Sequence, residues 1–250
     1  MRYKVLEVSI DDVTLDEAAT RIVQMYSSAW ARAVFYCNPE ILVAASRDKA
    51  FRDIVQSANL LFPDGFGLKL FGRLVGASFR ERIAGADLML RVCQDASRLG
   101  KSVFFLGGRN GTAQGASMAI QRMFPALEVA GWCDGFEGLK MWKENRALHR
   151  ADVVFVGLGS PLQEEWIFHH LRHLSRIRVA MAVGGAFDML SGATPRAPRF
   201  MQKAGLEWLW RFVREPRKRF KRIVNAVIIF PFLVFREAML KPKQRSTHVK

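Results

Sequence analysis

Short apolar runs alternate along the chain with longer stretches whose apolar residues recur three and four apart, the pattern of strands separated by amphipathic helices. Thr14-Leu15-Asp16-Glu17 has the spacing of a capping box, and Ala18, Ile22 and Met25 continue it at helical intervals, so a first helix starts there. The apolar run 33–37 reads as a buried strand; Asn38 after it suits an N-cap and Pro39 the first helical position. A helix is expected over 48–57, then a short strand, Leu60-Leu61-Phe62, that delivers Pro63-Asp64-Gly65-Phe66-Gly67. Beyond an amphipathic helix over 86–99, stopped by Gly100, strands are expected at 102–106, 127–130, 152–156 and 178–183. The helices between them end near Phe124, lie around 139–149 and cover 162–174. Glycine-rich turns follow the strands at Gly107-Gly108-Arg109-Asn110-Gly111, Gly157-Leu158-Gly159-Ser160-Pro161 and Gly184-Gly185-Ala186-Phe187-Asp188. Repeated βα units of this kind predict an α/β fold with a doubly wound, mainly parallel Rossmann-like sheet, its ligands bound beyond the carboxyl ends of the strands.

Composition changes this picture mainly at one end. The 250 residues are 50% hydrophobic and 24% charged, ordinary for a globular chain, and Cys37, Cys93 and Cys133 follow neither a disulfide framework nor a zinc spacing. The N-terminus lacks the continuous apolar core of a signal peptide, so a cytoplasmic location is expected. Of the formal net charge of +15, +12 lies in residues 195–250, where fifteen Lys or Arg face three acids. The chain therefore divides into a nearly neutral α/β body, 1–194, and a basic, amphipathic helical appendage, 195–250, that faces something anionic. Within the appendage, basic residues at 217, 218, 219, 221 and 222 precede a thirteen-residue apolar run, 223–235, interrupted by Asn225 and Pro231. A spanning helix needs roughly 20 apolar residues, so the run is expected to lie in a membrane interface as a peripheral anchor. The competing reading is a packed helical hairpin with solvated basic residues. A nucleic-acid surface built on Trp208, Trp210, Phe212 and Phe220 is a further alternative, disfavoured by the run Val227 to Phe235, which suits lipid better than a polyanion.

Candidate chemistry centres on Asp64, a carboxylate between a proline and two glycines that could be aimed into a cleft as a base, or could merely cap the following helix. Gly107, Gly108 and Gly159 lie in turns whose backbone N–H groups could cradle a phosphate, with close strand–helix packing as the alternative. Ser160-Pro161-Leu162-Gln163 fits a capping box in which Gln163 folds back onto the Ser160 N–H; a substrate contact is the rival. His169, His170 and His173 have no zinc signature and read as packing or surface residues. No Asp-x-Asp pair occurs, so neither a metal nor another cofactor is expected.

The ordered set Asn38-Pro39-Glu40, Pro63-Asp64-Gly65, Glu81-Arg82-x-x-Gly85, Phe105-Leu106-Gly107-Gly108, Gly157 through Glu164, Gly184 through Asp188, Arg196-Ala197-Pro198 and Glu207-Trp208-Leu209 with Glu215-Pro216 resembles the bacterial WecG/TagA/CpsF glycosyltransferase family. The resemblance covers nearly the whole chain. It implies inverting, metal-independent transfer of a sugar from a UDP-sugar to a polyprenyl-diphosphate-linked saccharide on the cytoplasmic face of the bacterial inner membrane. It implies Asp64 as the base, a cleft lined by Asn38, Arg82 and Gln163, with Asp188 among the substrate-binding residues, and a donor diphosphate reached by Arg211, Arg214, Arg217 and Arg222 of the appendage. Two departures bear on sugar recognition: Tyr36 stands where the family often has threonine, and Leu162 where it often has lysine. An inactive membrane adaptor is disfavoured by the presence of Asp64 and its companions.

Overall fold

The structure is a computed structural model that describes residues 1–195, 197, 198, 201 and 206–240, leaving aside the side chains of 136–138, 211 and 218. Six strands form one all-parallel sheet: β3 (Arg32–Cys37), β4 (Leu60–Pro63), β5 (Ser102–Gly107), β6 (Glu128–Cys133), β7 (Val153–Gly157) and β8 (Val179–Ala182), in the order β4-β3-β8-β7-β5-β6. Alternation along the strands sends Phe35, Cys37, Val154 and Val156 into one core and Val34, Tyr36, Val153 and Phe155 into the other. Burial on both faces is why these strands read as continuous apolar runs.

The first core is covered by α2 (Pro39–Arg47), α3 (Lys49–Gln56) and α8 (Leu162–His170). The second is covered by α1 (Leu15–Met25), α5 (Gly85–Arg98), α6 (Thr112–Met123) and α9 (Ala186–Leu190). Neighbouring strands β3 and β8 therefore feed helices on opposite faces, α2 on one and α9 on the other, which opens a crevice at their carboxyl ends.

Local chemistry sets the starts of the helices. Thr14 forms the expected capping box with Glu17, and Asn38 Oδ1 accepts from the Ile41 N–H at 3.0 Å with Pro39 in the first helical turn. An N-terminal hairpin, β1 (Arg2–Val5) with β2 (Val8–Asp11), has no counterpart in the sequence reading. Its Asp11 carboxylate accepts from the Leu61 N–H at 3.0 Å, occupying a donor on edge strand β4. Three expected elements shift. The strand expected over 127–130 runs on to Cys133, and the helix expected around 139–149 is instead α7 (Gly135–Met141) and a short 3₁₀ turn, Leu148–Arg150. Asn145 Oδ1 takes the Leu148 N–H at 3.0 Å, a local bond that competes with helix continuation. The helix expected over 162–174 ends as α-helix at His170 and finishes in a 3₁₀ turn.

The appendage contributes α10 (Glu207–Arg214), α11 (Pro216–Ile223) and α12 (Phe230–Leu240), the last two joined by a π-helical turn, Val224–Ile229. Pro231 was expected to interrupt the apolar run, but the helix passes through it. The π turn, in which the Phe230 N–H reaches Asn225 O, widens the ladder just where a proline lacks its donor. The resulting helix, Arg219–Leu240, has 22 residues and is long and apolar enough to cross a membrane by length and composition, which the thirteen-residue run alone was not. Here it lies against the body: Phe230 and Val234 are fully buried, Phe230 meets Phe71 edge-on at 6.3 Å, and Glu237 accepts from the Leu6 N–H at 2.9 Å.

Candidate active site

A cavity of about 530 Å³ lies in the crevice, walled by the ends of β3, β4, β7 and β8 on the body and by the appendage on the other side. Sheet register determines what meets there. Cys37 pairs with Pro63, and the Asp64 N–H continues that ladder to Cys37 O at 2.8 Å, so Asn38 and Asp64 emerge side by side. The helix after Asp64, α4 (Phe66–Phe71), has Gly65 at its N-cap, with φ +91° and no side-chain cap. The capping reading of Asp64 therefore fails. Its Oδ1 accepts from the adjacent Gly65 N–H at 2.7 Å, and the side chain remains 31% exposed in the cavity wall. A side chain at Gly65 would meet Pro39 at 3.3 Å in addition to its strained φ, so glycine is what lets the Asp64 turn sit on the start of α2.

Arg82 reaches Asp64 from a loop fastened at several points. The Ile83 N–H donates to Pro63 O, the Arg80 N–H to Asp12 Oδ1 and the Leu15 N–H to Glu81 Oε2, each at 2.8 Å. The Arg82 guanidinium stands 3.8 Å from Asp64 Oδ1 and donates to Glu207 Oε2 of α10 at 3.3 and 3.4 Å. Gln163 does not form the expected capping box. Its side chain is buried: Oε1 accepts from the Gly184 N–H at 2.9 Å and Nε2 donates to Glu164 Oε1 at 2.8 Å, so it cannot turn back to Ser160. Those bonds fix its amide in the cavity wall between the loops after β7 and β8, beside Gly159. Burial pushes the Glu164 carboxyl up to about 7, partly offset by hydrogen bonds from Gln163 and Ser160.

Of the appendage arginines, Arg222 lines the cavity and pairs with Glu40 of α2 at 2.7 Å. Arg219 also lines it, paired with Glu215 at 2.9 Å, although the sequence reading counted it only in the basic run. Arg217 is exposed outside the cavity wall, and Arg214 stacks 4.6 Å over the Trp210 ring, also outside it; the Arg211 side chain is outside the described residues. Asp188 on α9 does not line the cavity. Neither do Gly107 and Gly108. A side chain on Gly107 would stand 2.6 Å from the Gly157 backbone across the β5–β7 pair, and one on Gly108 would strike Thr112, so these glycines serve close packing. His170 stacks on Trp142 at 4.5 Å, as the packing reading expected.

Tyr36, which the sequence reading tied to sugar recognition, also lines the wall, as do Glu40, Glu207 and Trp208, which lay in its motifs without being named as contacts. Glu207 and Trp208 had a signal, the Glu207-Trp208-Leu209 motif, but nothing local to say that it folds back over Arg82. Cationic Arg82, Arg219 and Arg222 and anionic Asp64, Glu40 and Glu207 thus line one space, with Arg222 paired to Glu40 and Arg82 to Glu207. Such a site can hold an anionic leaving group at the arginines while a separate carboxylate takes up a proton.

Carboxylates and arginines gathered at the carboxyl edge of a doubly wound parallel sheet suit group transfer on an anionic substrate. The chain belongs to the Glycosyl transferase WecG/TagA/CpsF family, whose sequence profile matches residues 3–244, and it is a glycosyltransferase. It is 34% identical over 218 residues to the N-acetylglucosaminyldiphosphoundecaprenol N-acetyl-beta-D-mannosaminyltransferase of Bacillus subtilis (strain 168), covering 85% of this chain and 84% of that one. The protein of the same name from Bacillus spizizenii (strain ATCC 23059 / NRRL B-14472 / W23) is 33% identical over 219 residues, with 85% of each chain covered. That from Staphylococcus aureus (strain MW2) is 29% identical over 247 residues, covering 97% and 94%.

Proposed function

We propose that the enzyme moves N-acetylmannosamine or a closely related hexose from a UDP-sugar to a polyprenyl-diphosphate-linked saccharide, with inversion and without a metal, while bound peripherally to an anionic membrane surface at the cytoplasmic face of the bacterial inner membrane. The observation that carries this reading is the meeting of Asp64, Asn38, Arg82 and Gln163 with Arg219 and Arg222 of the appendage around one cavity. Asp64 takes the proton of the acceptor hydroxyl as its oxygen bonds to the anomeric carbon, a step worth about 10²–10⁴-fold. The bond to the diphosphate breaks on the opposite side, and the charge that develops on UDP is met by Arg219 and Arg222, the latter exchanging Glu40 for phosphate oxygens. Relatives named for transfer of a β-linked mannosaminyl group support inversion from an α-linked donor.

The test incubates purified protein with a panel of UDP-sugars, UDP-N-acetylmannosamine among them, and a synthetic polyprenyl-diphosphate N-acetylglucosamine, with and without excess EDTA. Consumption of one donor, a β-linked product and full rate in EDTA are expected. An α-linked product refutes the single-displacement role of Asp64, and loss of rate restored by magnesium or manganese refutes the role given to the arginines.

A further inference from the structure

We propose that the apolar side of the cavity, built by α4 and by the appendage from Ile223 into its π turn, holds the first isoprene units of the acceptor's polyprenyl chain. The inference rests on the proposed transfer to a polyprenyl-diphosphate-linked saccharide and assigns the part of that substrate beyond its diphosphate. Phe66 and Leu70, four apart on α4, and Ile223 and Val227, four apart on the appendage, all line the cavity. Phe66, Leu70 and Val227 are 47%, 46% and 50% exposed, so large apolar side chains in the wall of a concave space keep about half of their surface uncovered. A hydrocarbon chain laid against them takes that surface out of water and asks for no polar partner in return.

The two elements are firmly joined, so the uncovered surface is not the result of loose packing. They come together at Gly67, where a Cβ would stand 4.0 Å from Ala226 O, and at Phe71, whose ring meets Phe230 edge-on at 6.3 Å. Phe230 and Val234, further along the appendage, are fully buried. The order of side chains along the appendage also matches the order of groups in such an acceptor. Arg219, Ile223 and Val227 follow one another four apart along the cavity wall, a cation and then two hydrocarbon side chains, and Arg222 is followed in the same way by Ala226. A polyprenyl diphosphate likewise passes from anion to hydrocarbon, whereas a UDP-sugar has no hydrocarbon chain to lay against Leu70 and Val227. Beside Val227, Ile228 is 63% exposed, so a chain leaving the cavity there continues over apolar surface.

The test gives the full chain UDP-N-acetylmannosamine and two acceptors, N-acetylglucosamine diphosphate carrying a farnesyl group or a methyl group. Buffer free of lipid and detergent, at concentrations where neither acceptor self-associates, removes any contribution from a bilayer. Wild type is expected to favour the farnesyl acceptor by at least about 30-fold in kcat/KM, the return on burying several carbons of the chain. Leu70→Ser with Val227→Ser is expected to cut that preference to less than about fivefold, mainly by raising the farnesyl acceptor's KM, with the donor KM within about threefold of wild type. Wild type with no preference between the acceptors overturns the inference, because the chain then touches nothing in the cavity. Equal losses on both acceptors overturn it in favour of a packing role for the two side chains, and a raised donor KM with the preference intact assigns the apolar side to the nucleoside instead. In each of these cases the transferase reading stands, whereas a wild-type protein that transfers no sugar to either acceptor from any UDP donor overturns both.

Discussion

Asp64 lines the cavity and Glu164 is buried behind Gln163 in its wall, and their surroundings give the two carboxylates different work. Asp64 is on the cavity wall, near Arg82, on a turn that glycine permits and that no helix cap requires. Asp64→Asn removes its proton-accepting ability with almost no change in volume; kcat is expected to fall by at least about 10²-fold, with UDP affinity and melting temperature close to wild type. Near-normal turnover by the purified variant with the lipid-linked acceptor refutes the assignment. Glu164 is 1% exposed, and its contribution is to stability. Its carboxyl is raised from 4.5 to about 7, so the folded state holds the proton more tightly than the unfolded chain does. The sign follows from linkage: the penalty is absent below about pH 4.5, grows as the unfolded chain ionises first, and is complete above about pH 7. Glu164→Gln keeps an acceptor for the Gln163 amide and removes the charge. It is expected to stabilise the protein on the order of 1–3 kcal/mol above about pH 7 and to give no gain below about pH 4.5, checked by urea unfolding across that range. A gain of equal size at both ends argues against buried charge as the cause.

At the scale of elements, the sequence was most legible where a local rule and the tertiary structure ask for the same thing. Asn38 and Pro39 start α2 as read, and the glycine-flanked Asp64 stands where its strand delivers it. It misled where a distant group claimed a side chain. Ser160 through Gln163 has the right spacing for a capping box, but the Gly184 N–H from the loop after another strand takes Gln163. The appendage is the extreme case: basic residues at near-helical spacing are alike in sequence, and only docking decides which of them face inward. That docking turns Arg222 towards Glu40 and the cavity and leaves Arg217 exposed outside the cavity wall. Arg222→Ala is therefore expected to weaken UDP binding by about tenfold, measured calorimetrically without lipid, since a charge-assisted contact to phosphate is worth about 1.5–3 kcal/mol. Arg217→Ala is expected to change it by less than about twofold, although the resemblance counts both arginines among the diphosphate contacts. Equal losses in the two variants dismiss the geometric distinction between them.

For the whole molecule, the question is how one helix can wall the cavity and also offer a face to the membrane surface proposed for it. Phe230, Val234 and Glu237 recur three and four apart and hold α12 to the body, the first two fully buried and the third bonded to the Leu6 N–H. Ile228, Phe232, Phe235 and Met239 follow the same spacing on the opposite side, with exposures of 63%, 65%, 58% and 73%. Although the helix is long enough to cross a bilayer, doing so would strip Phe230 and Val234 from the core, so the two stripes favour a helix lying in the interface, outer face down. The basic run just before it adds about 1 kcal/mol per residue near an anionic leaflet, a contribution that salt screens. Phe232→Glu with Phe235→Glu charges the outer stripe and leaves the inner one alone. The double variant is expected to lose at least about tenfold in binding to anionic vesicles, since each phenylalanine buried in the interface is worth about 1.5–3 kcal/mol. Its melting temperature and its turnover of a water-soluble acceptor analogue are expected to stay close to wild type, because the cavity wall formed by Arg219, Arg222 and Ile223 is untouched. Vesicle binding unchanged at moderate salt would mean that some other surface meets the lipid. Lost turnover on the soluble analogue would mean that the outer stripe also supports the site, and the separation of the two faces would fail.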